Sequence, residues 1–188
     1  MSFISWFILD LLIIAIAVAW ANGATLDLGL RRPVFPRDVW PWITLYLVWY
    51  GAEWVHFTLW PSAEDTGFTA MLRDLTLPGS LILTVLSGPL YEELLFRGAM
   101  FSALLRRWGI WAAAIVTSLL WGLIHLGYEP WFVVSVTGSG VVLAIIRWKS
   151  GSIYIPLALH AAGNLAVTID NYAWLASISG VPSDGAMP

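Results

Sequence analysis

Long apolar stretches separated by short polar connections run from one end of this chain to the other. Six of them approach the ~20 residues a helix needs to cross a bilayer. They cover residues 3–22, 39–60, 77–106, 109–127, 130–148 and 152–176. The pattern predicts an all-α fold, a polytopic membrane bundle of about six transmembrane helices. The third stretch is the longest and carries Gly88-Pro89, a pair that predicts a break just ahead of an acidic pair. The first stretch has no positive charge ahead of it and holds Asp10 inside it. It therefore reads as a retained span, although Ala19-Trp20-Ala21 loosely fits a signal-peptide cleavage site. Residues 1–76 read as two N-terminal spans with their loops, 77–176 as a four-span core and 177–188 as a polar tail, all within one structural domain.

Composition supports the membrane reading. Of 188 residues 59% are hydrophobic and 11% charged, and the mean hydropathy is +0.78. A soluble domain carries roughly 25% charged residues. With no cysteine, disulfides, a thiol nucleophile and cysteine-based zinc sites are excluded. A net charge of −3 without a long basic run gives nucleic-acid binding no electrostatic support. Among the thirteen tryptophans, Trp6, Trp40, Trp42, Trp60, Trp108, Trp131 and Trp148 fall near span ends, where an interfacial aromatic belt belongs.

Loop charges add an orientation. Arg31, Arg32 and Arg37 follow the first span, Arg106 and Arg107 the third, and Arg147 and Lys149 the fifth. The alternate connections hold Glu64, Asp65, Arg73, Asp74 and Glu129. The strongly basic connections thus fall on one side, which the positive-inside rule makes cytoplasmic. The expected setting is a prokaryotic cytoplasmic membrane, crossed several times with both termini outside.

The chemistry lies in the charges that remain inside the spans. Ionisable groups at membrane depth are costly and mark function. In the third span Glu93 and Arg97 are four residues apart and share a helical face, an arrangement suited to a structural ion pair. Glu92 is rotated by about 100° from Glu93 and is left for chemistry. His125 in the fourth span shares a face with Trp121 and Ser118, and His160 and Asn164 share one in the sixth. Glu92, His125, His160 and Asn164 can therefore converge from three helices. A shielded carboxylate serves as a general base, a histidine holds the same water, and a second histidine with an amide can receive an oxyanion. By ligand type Glu92, His125 and His160 would also suit zinc, but there is no H-E-x-x-H and the spacing is not specific for a metal. No cofactor is expected, with zinc as the alternative.

Three motifs in these spans resemble those of the CPBP family of intramembrane proteases. This family groups CaaX prenyl endopeptidases with bacteriocin-processing and immunity proteins and lysostaphin-resistance-like proteins of the Abi type. Glu92-Glu93-Leu94-Leu95-Phe96-Arg97 resembles EExxxR. Trp121-Gly-Leu-Ile-His125 resembles FxxxH with tryptophan in place of the usual phenylalanine. His160-Ala-Ala-Gly-Asn164 resembles HxxxN. The resemblance covers about residues 77–175 and implies an intramembrane endopeptidase of glutamic type, historically classed as a metalloprotease. It implies that Glu92 and His125 activate the water and that His160 and Asn164 form the oxyanion site. The partners implied are the lipid bilayer and a membrane-anchored protein or peptide substrate. Removal of a C-terminal anchor or sorting tail, processing of a prenylated CaaX tail, and a bacteriocin leader are the candidate reactions. Placed by helical rise, the four residues sit between the midplane and the outer face, which favours the tail of an exported protein.

Other readings compete. Thr137-Gly138-Ser139-Gly140 faintly resembles a rhomboid GxSG, with Ser139 as nucleophile and His160 as its base, but Glu92-Glu93 would go unexplained. Buried Glu and His also mark proton relays and transporters, yet the chain shows neither repeats nor paired broken helices. A non-catalytic immunity or scaffold protein is the binding-type alternative. His56, near the outer end of the second span, reads as interfacial packing, and Asp10 as a polar contact between helices.

Overall fold

A computed structural model describes residues 3–60 and 72–179. Helix α1 (Phe3–Gly23) leads through an irregular segment and a short 3-10 turn (Arg37–Val39) into α2 (Trp40–Leu59). Then come α3 (Leu77–Leu81), a π-helical segment (Ile82–Ser87), α4 (Gly88–Glu92), a second π-helical segment (Glu93–Met100) and α5 (Phe101–Leu123). Helices α6 (Pro130–Ser150) and α7 (Tyr154–Ser179) complete the bundle. No strand occurs among the described residues. The chain is an integral membrane protein built as a helical bundle. Three helical stretches are long and apolar enough to cross a membrane: Ser5–Gly23, Leu77–Leu123 and Pro130–Ser150. Helices α2 and α7, of 20 and 26 residues, have the length of spans, but their apolarity is lower.

The 47-residue stretch Leu77–Leu123 is not one rod. Gly109 adopts φ 77° and ψ −179°, outside the helical region, and the chain turns there. The helices on the two sides of Gly109 therefore correspond to the separate third and fourth segments of the hydropathy pattern. The expected break at Gly88-Pro89 does not occur. Gly88 keeps helical angles, and its N–H donates to Leu83 O, five residues back, the bond of a π-turn. In that register the carbonyl of Thr84 should be paired with the N–H of residue 89, which is proline and has none. Asn164 of α7 fills the vacancy: its Nδ2 donates to Thr84 O at 2.8 Å. The helix widens instead of breaking because a neighbouring helix supplies the missing donor. Gly88 is needed there, since a Cβ would lie 2.7 Å from Leu83 O.

The basic connections meet at one end of the bundle. Arg147 Nη2 donates to Asp27 O at 3.1 Å, Arg106 Nη2 to Ala24 O at 3.3 Å and Arg31 Nε to Gly151 O at 2.8 Å. Lys149 pairs with Asp38. Burial raises the Asp27 carboxyl, but the Gly29 N–H and the Arg147 and Arg31 guanidinium groups together hold it below its ordinary value. Gly29 (φ 71°) leaves room for the Arg147 guanidinium, whose Cζ would lie 2.4 Å from a Cβ at that position. At the opposite end His56 stacks on Trp60 and meets Trp131, both at 5.5 Å between ring centroids. Trp40, Trp60, Trp108, Trp131 and Trp148 are exposed, as an interfacial belt requires. Asp10 is buried and accepts from Ser87 Oγ at 2.6 Å, tying α1 to the first π-helical segment. The connection holding Glu64 and Asp65 and the polar tail from Gly180 onward lie outside the described residues. Helix α7 continues to Ser179, three residues past the predicted end of the last span.

Candidate active site

Glu92 ends α4 and Glu93 opens the second π-helical segment. Glu93 and Arg97 lie on one face with Arg97 Nη1 3.2 Å from Glu93 Oε1, and both side chains are wholly buried. The ion pair expected from their spacing is therefore present, but Glu93 has a second partner. His160 Nδ1 lies 3.0 Å from the same Oε1. A carboxylate can only accept, so Nδ1 carries the proton in this bond. The ring is thereby fixed with Nε2 toward Glu92, whose Oε2 lies 3.8 Å away. Glu93 thus holds the His160 ring as well as pairing with Arg97.

Trp121 occupies the centre of the arrangement. Its indole Nε1–H donates to Glu92 Oε2. Its face receives the Arg97 guanidinium carbon at 4.0 Å. Its ring meets those of His160 and His125 edge-on, with centroids 5.1 and 5.6 Å apart. Glu92, Glu93, Arg97, Trp121 and His160 are all buried. From the sequence Trp121 shares a face with His125 and departs from a phenylalanine position, with no role of its own. The signal that could have singled it out is that departure: an indole carries an N–H that phenylalanine lacks.

His125 lies where the fourth span ends, not within it. Helix α5 stops at Leu123, and His125 occupies the turn that follows, half-buried. Its Nδ1 donates to Trp121 O at 2.8 Å, leaving Nε2 as the open ring nitrogen. Tyr128 and Phe132 flank the ring at 5.6 and 6.1 Å. The Tyr128 phenol, in the same connection, is pushed up to about 12 by burial and by the Glu92 charge, so it remains a proton donor near that carboxylate.

Asn164 is the residue that stands apart. Its amide is engaged by the Thr84 carbonyl, about two turns before the acidic pair. Glu92 and His160 are brought together, and His125 joins them through Trp121. The Ser139 hydroxyl donates to its own helix, to Val136 O at 3.0 Å, while both nitrogens of His160 face carboxylates. The serine–histidine pairing is thus replaced by a glutamate–histidine one. Gly140 of the same stretch has a packing role, since a Cβ there would lie 2.8 Å from Trp121 Cε3 and 3.0 Å from Arg97 Nη2. Among the described residues no group of three His, Asp or Glu side chains is disposed to hold a metal ion. The Nδ1 atoms of His125 and His160 are both committed to oxygen acceptors, and the indole of Trp121 packs against both imidazoles. Were zinc bound here, the Nε2 atoms of His125 and His160 and the Glu92 carboxylate would be its donors.

Comparison with known proteins covers the same part of the chain. Residues 74–166 match the family model described as Type II CAAX prenyl endopeptidase Rce1-like. A 24.3 kDa protein of Escherichia coli, whose name assigns it no function, is 33% identical over 99 residues, 49% of this chain and 45% of its own length. YdiL of Bacillus subtilis (strain 168), named as a candidate membrane peptidase, is 26% identical over 92 residues, 49% of this chain and 37% of its own length. The chain thus spans less than half of either relative. No solved structure gives a significant match.

Proposed function

Residues 74–166 make the chain a member of the Rce1-like endopeptidase family, and from that premise we propose that it is an intramembrane endopeptidase using water activated at Glu92. The observation that carries the reading is the 3.8 Å approach of His160 Nε2 to Glu92 Oε2, with Nδ1 anchored on Glu93. That separation is too long for a direct hydrogen bond and suits a group bridged between the two. Glu92 takes a proton from the water as its oxygen attacks the scissile carbonyl carbon. The carbonyl π pair moves onto oxygen, and a protonated His160 Nε2 donates to the oxyanion. His125 Nε2 holds the water from the side of the turn. When the tetrahedral intermediate collapses, the C–N bond breaks and the proton on Glu92 passes to the leaving amine. Asn164 supports the site through the Thr84 carbonyl, and its second amide hydrogen is proposed as a further donor to the oxyanion.

The mechanism is of glutamic type and requires no metal. Zinc-dependent hydrolysis is the alternative. The purified protein should hold well under one equivalent of metal, and a chelator should leave cleavage intact. Stoichiometric zinc that disappears in His160→Ala would replace this mechanism.

The substrate is a membrane-anchored protein or peptide. His125 and its turn lie at the end of the bundle opposite the basic clasp around Asp27 and Arg147. With that clasp cytoplasmic, the site opens outward, and the tail of an exported protein reaches it more readily than a cytosolic prenylated tail. The test is cleavage of a reporter carrying a C-terminal transmembrane anchor, in cells producing wild-type or Glu92→Gln protein. Loss of the product in Glu92→Gln supports the reading, and equal product in both overturns it.

A further inference from the structure

We propose that Trp121 is a positioning residue for Glu92, its indole N–H locking the carboxylate in place while Arg97 and a notch at Gly140 lock the indole. The inference rests on the reading of Glu92 as the base. Three independent contacts define the device. The Nε1–H donates to Glu92 Oε2. The Arg97 guanidinium lies over the ring face at 4.0 Å. On α6, the missing side chain of Gly140 leaves the volume that Trp121 Cε3, Arg97 Nη2 and Ser118 Oγ share, each within 3.0 Å of where a Cβ would stand. The side chain is 4% exposed, so it has no other position to occupy without opening the core.

The chemistry follows from the donor. A hydrogen bond to a charged acceptor is stronger than one between neutral groups, and inside a dry bundle little competes with it. It stabilises the ionised carboxylate, the form that accepts a proton from water. A cation over the π face draws electron density from the indole and makes its N–H a better donor. Arg97 therefore acts on both acids, on Glu93 directly and on Glu92 through the ring between them. A phenylalanine at position 121 would keep the ring contacts and lose the donor.

The test uses dicyclohexylcarbodiimide, an apolar reagent that enters membranes and captures protonated carboxyl groups. The acid O–H adds across one N=C bond, and the O-acylisourea rearranges to a stable N-acylurea with no atom lost. Full-length wild type and Trp121→Phe, purified in detergent, are treated at neutral pH, and the label at each acid is read by peptide mass spectrometry. Glu53, which has no contact with Trp121 among those described, serves as the reference. Labelling of Glu92 in Trp121→Phe should rise about tenfold, the effect of losing one charge-assisted hydrogen bond, with the reference unchanged. An unchanged Glu92 rate overturns the proposal. A second measurement covers failure of the variant to fold. In 15N-tryptophan-labelled protein, Glu92→Gln should move the Trp121 indole proton upfield, because a neutral amide oxygen is the weaker acceptor. The resonance is assigned as the one missing from Trp121→Phe or, if that variant does not fold, Trp121→Tyr. An indole resonance that stays in place overturns the proposal. Neither readout uses peptide cleavage, so a failure of the protease reading remains distinguishable from a failure of this one.

Discussion

At the scale of single residues, the site depends on which hydrogen bond each ring nitrogen and carboxylate oxygen already makes. His160→Ala and His125→Ala should each abolish cleavage while the protein still inserts, measured as reporter product against membrane-extracted protein. Substantial product from either variant would remove that histidine from the mechanism. Asn164→Ala should cost roughly 10²–10³ in rate if its amide serves the oxyanion. It should also lower thermal stability, since Thr84 O would then lack its donor. Glu93→Gln separates two roles. It leaves Arg97 without its counter-charge, a loss of about 3–5 kcal/mol for a buried pair, and it weakens the anchor on His160 Nδ1. A melting point in detergent lowered by several degrees, together with lost activity, is expected. A wild-type melting point with no activity would place Glu93 in the chemistry alone.

At the scale of elements, the two π-helical segments, Ile82–Ser87 and Glu93–Met100, are the unusual feature. Such segments occur often at functional sites because they leave a carbonyl or a side chain facing away from the regular ladder. Here the first one depends on Gly88, Pro89 and an amide borrowed from α7. Gly88→Ala should therefore destabilise more than an ordinary glycine-to-alanine change in a helix, which is normally favourable. The added Cβ meets the Leu83 carbonyl at 2.7 Å, and a cost of about 1–3 kcal/mol is expected for such overpacking. Thermal unfolding in detergent measures it, and a stabilised variant would contradict the π-turn geometry. The contact between α5 and α6 follows the same close-approach logic: a Cβ on Gly122 would lie 2.0 Å from Thr137 Oγ1. Small residues at such seams let two helices approach where lipid supplies no hydrophobic drive.

At the scale of the whole molecule, the basic connections are gathered into one clasp, and that clasp has a pH dependence. The folded-state pKa of Asp27 lies below its ordinary value of 3.8. Its contribution to stability is therefore present above about pH 4 and is lost as pH falls below that through the folded value. Melting temperature in detergent should drop between pH 5 and pH 3 (roughly), and part of the drop should vanish in Asp27→Asn. Identical acid profiles would show that the clasp does not draw on this charge. The orientation of the clasp can be read directly, because the chain has no cysteine of its own. A cysteine at Gly127, which has open space around it, should react with an impermeant thiol reagent in intact cells, and one at Arg107 should not. The reverse pattern would turn the site toward the cytosol and restore a CaaX-type substrate.

Hydropathy and spacing alone determined the helical membrane class and the Glu93–Arg97 pair, and they named Glu92, His125, His160 and Asn164 as candidates. These follow from local periodicity: apolar runs define spans, and residues four apart share a helical face. Tertiary structure decided what periodicity cannot reach. The helix stays continuous at Gly88-Pro89 because Asn164, 80 residues after Thr84, satisfies the Thr84 carbonyl that Pro89 orphans. Glu93 holds His160 and Trp121 holds Glu92 because helices far apart in sequence bring single donors against single acceptors. Which oxygen meets which nitrogen depends on helix rotation and depth to within about 1 Å, and those are set by packing between helices, not by the pattern along any one of them.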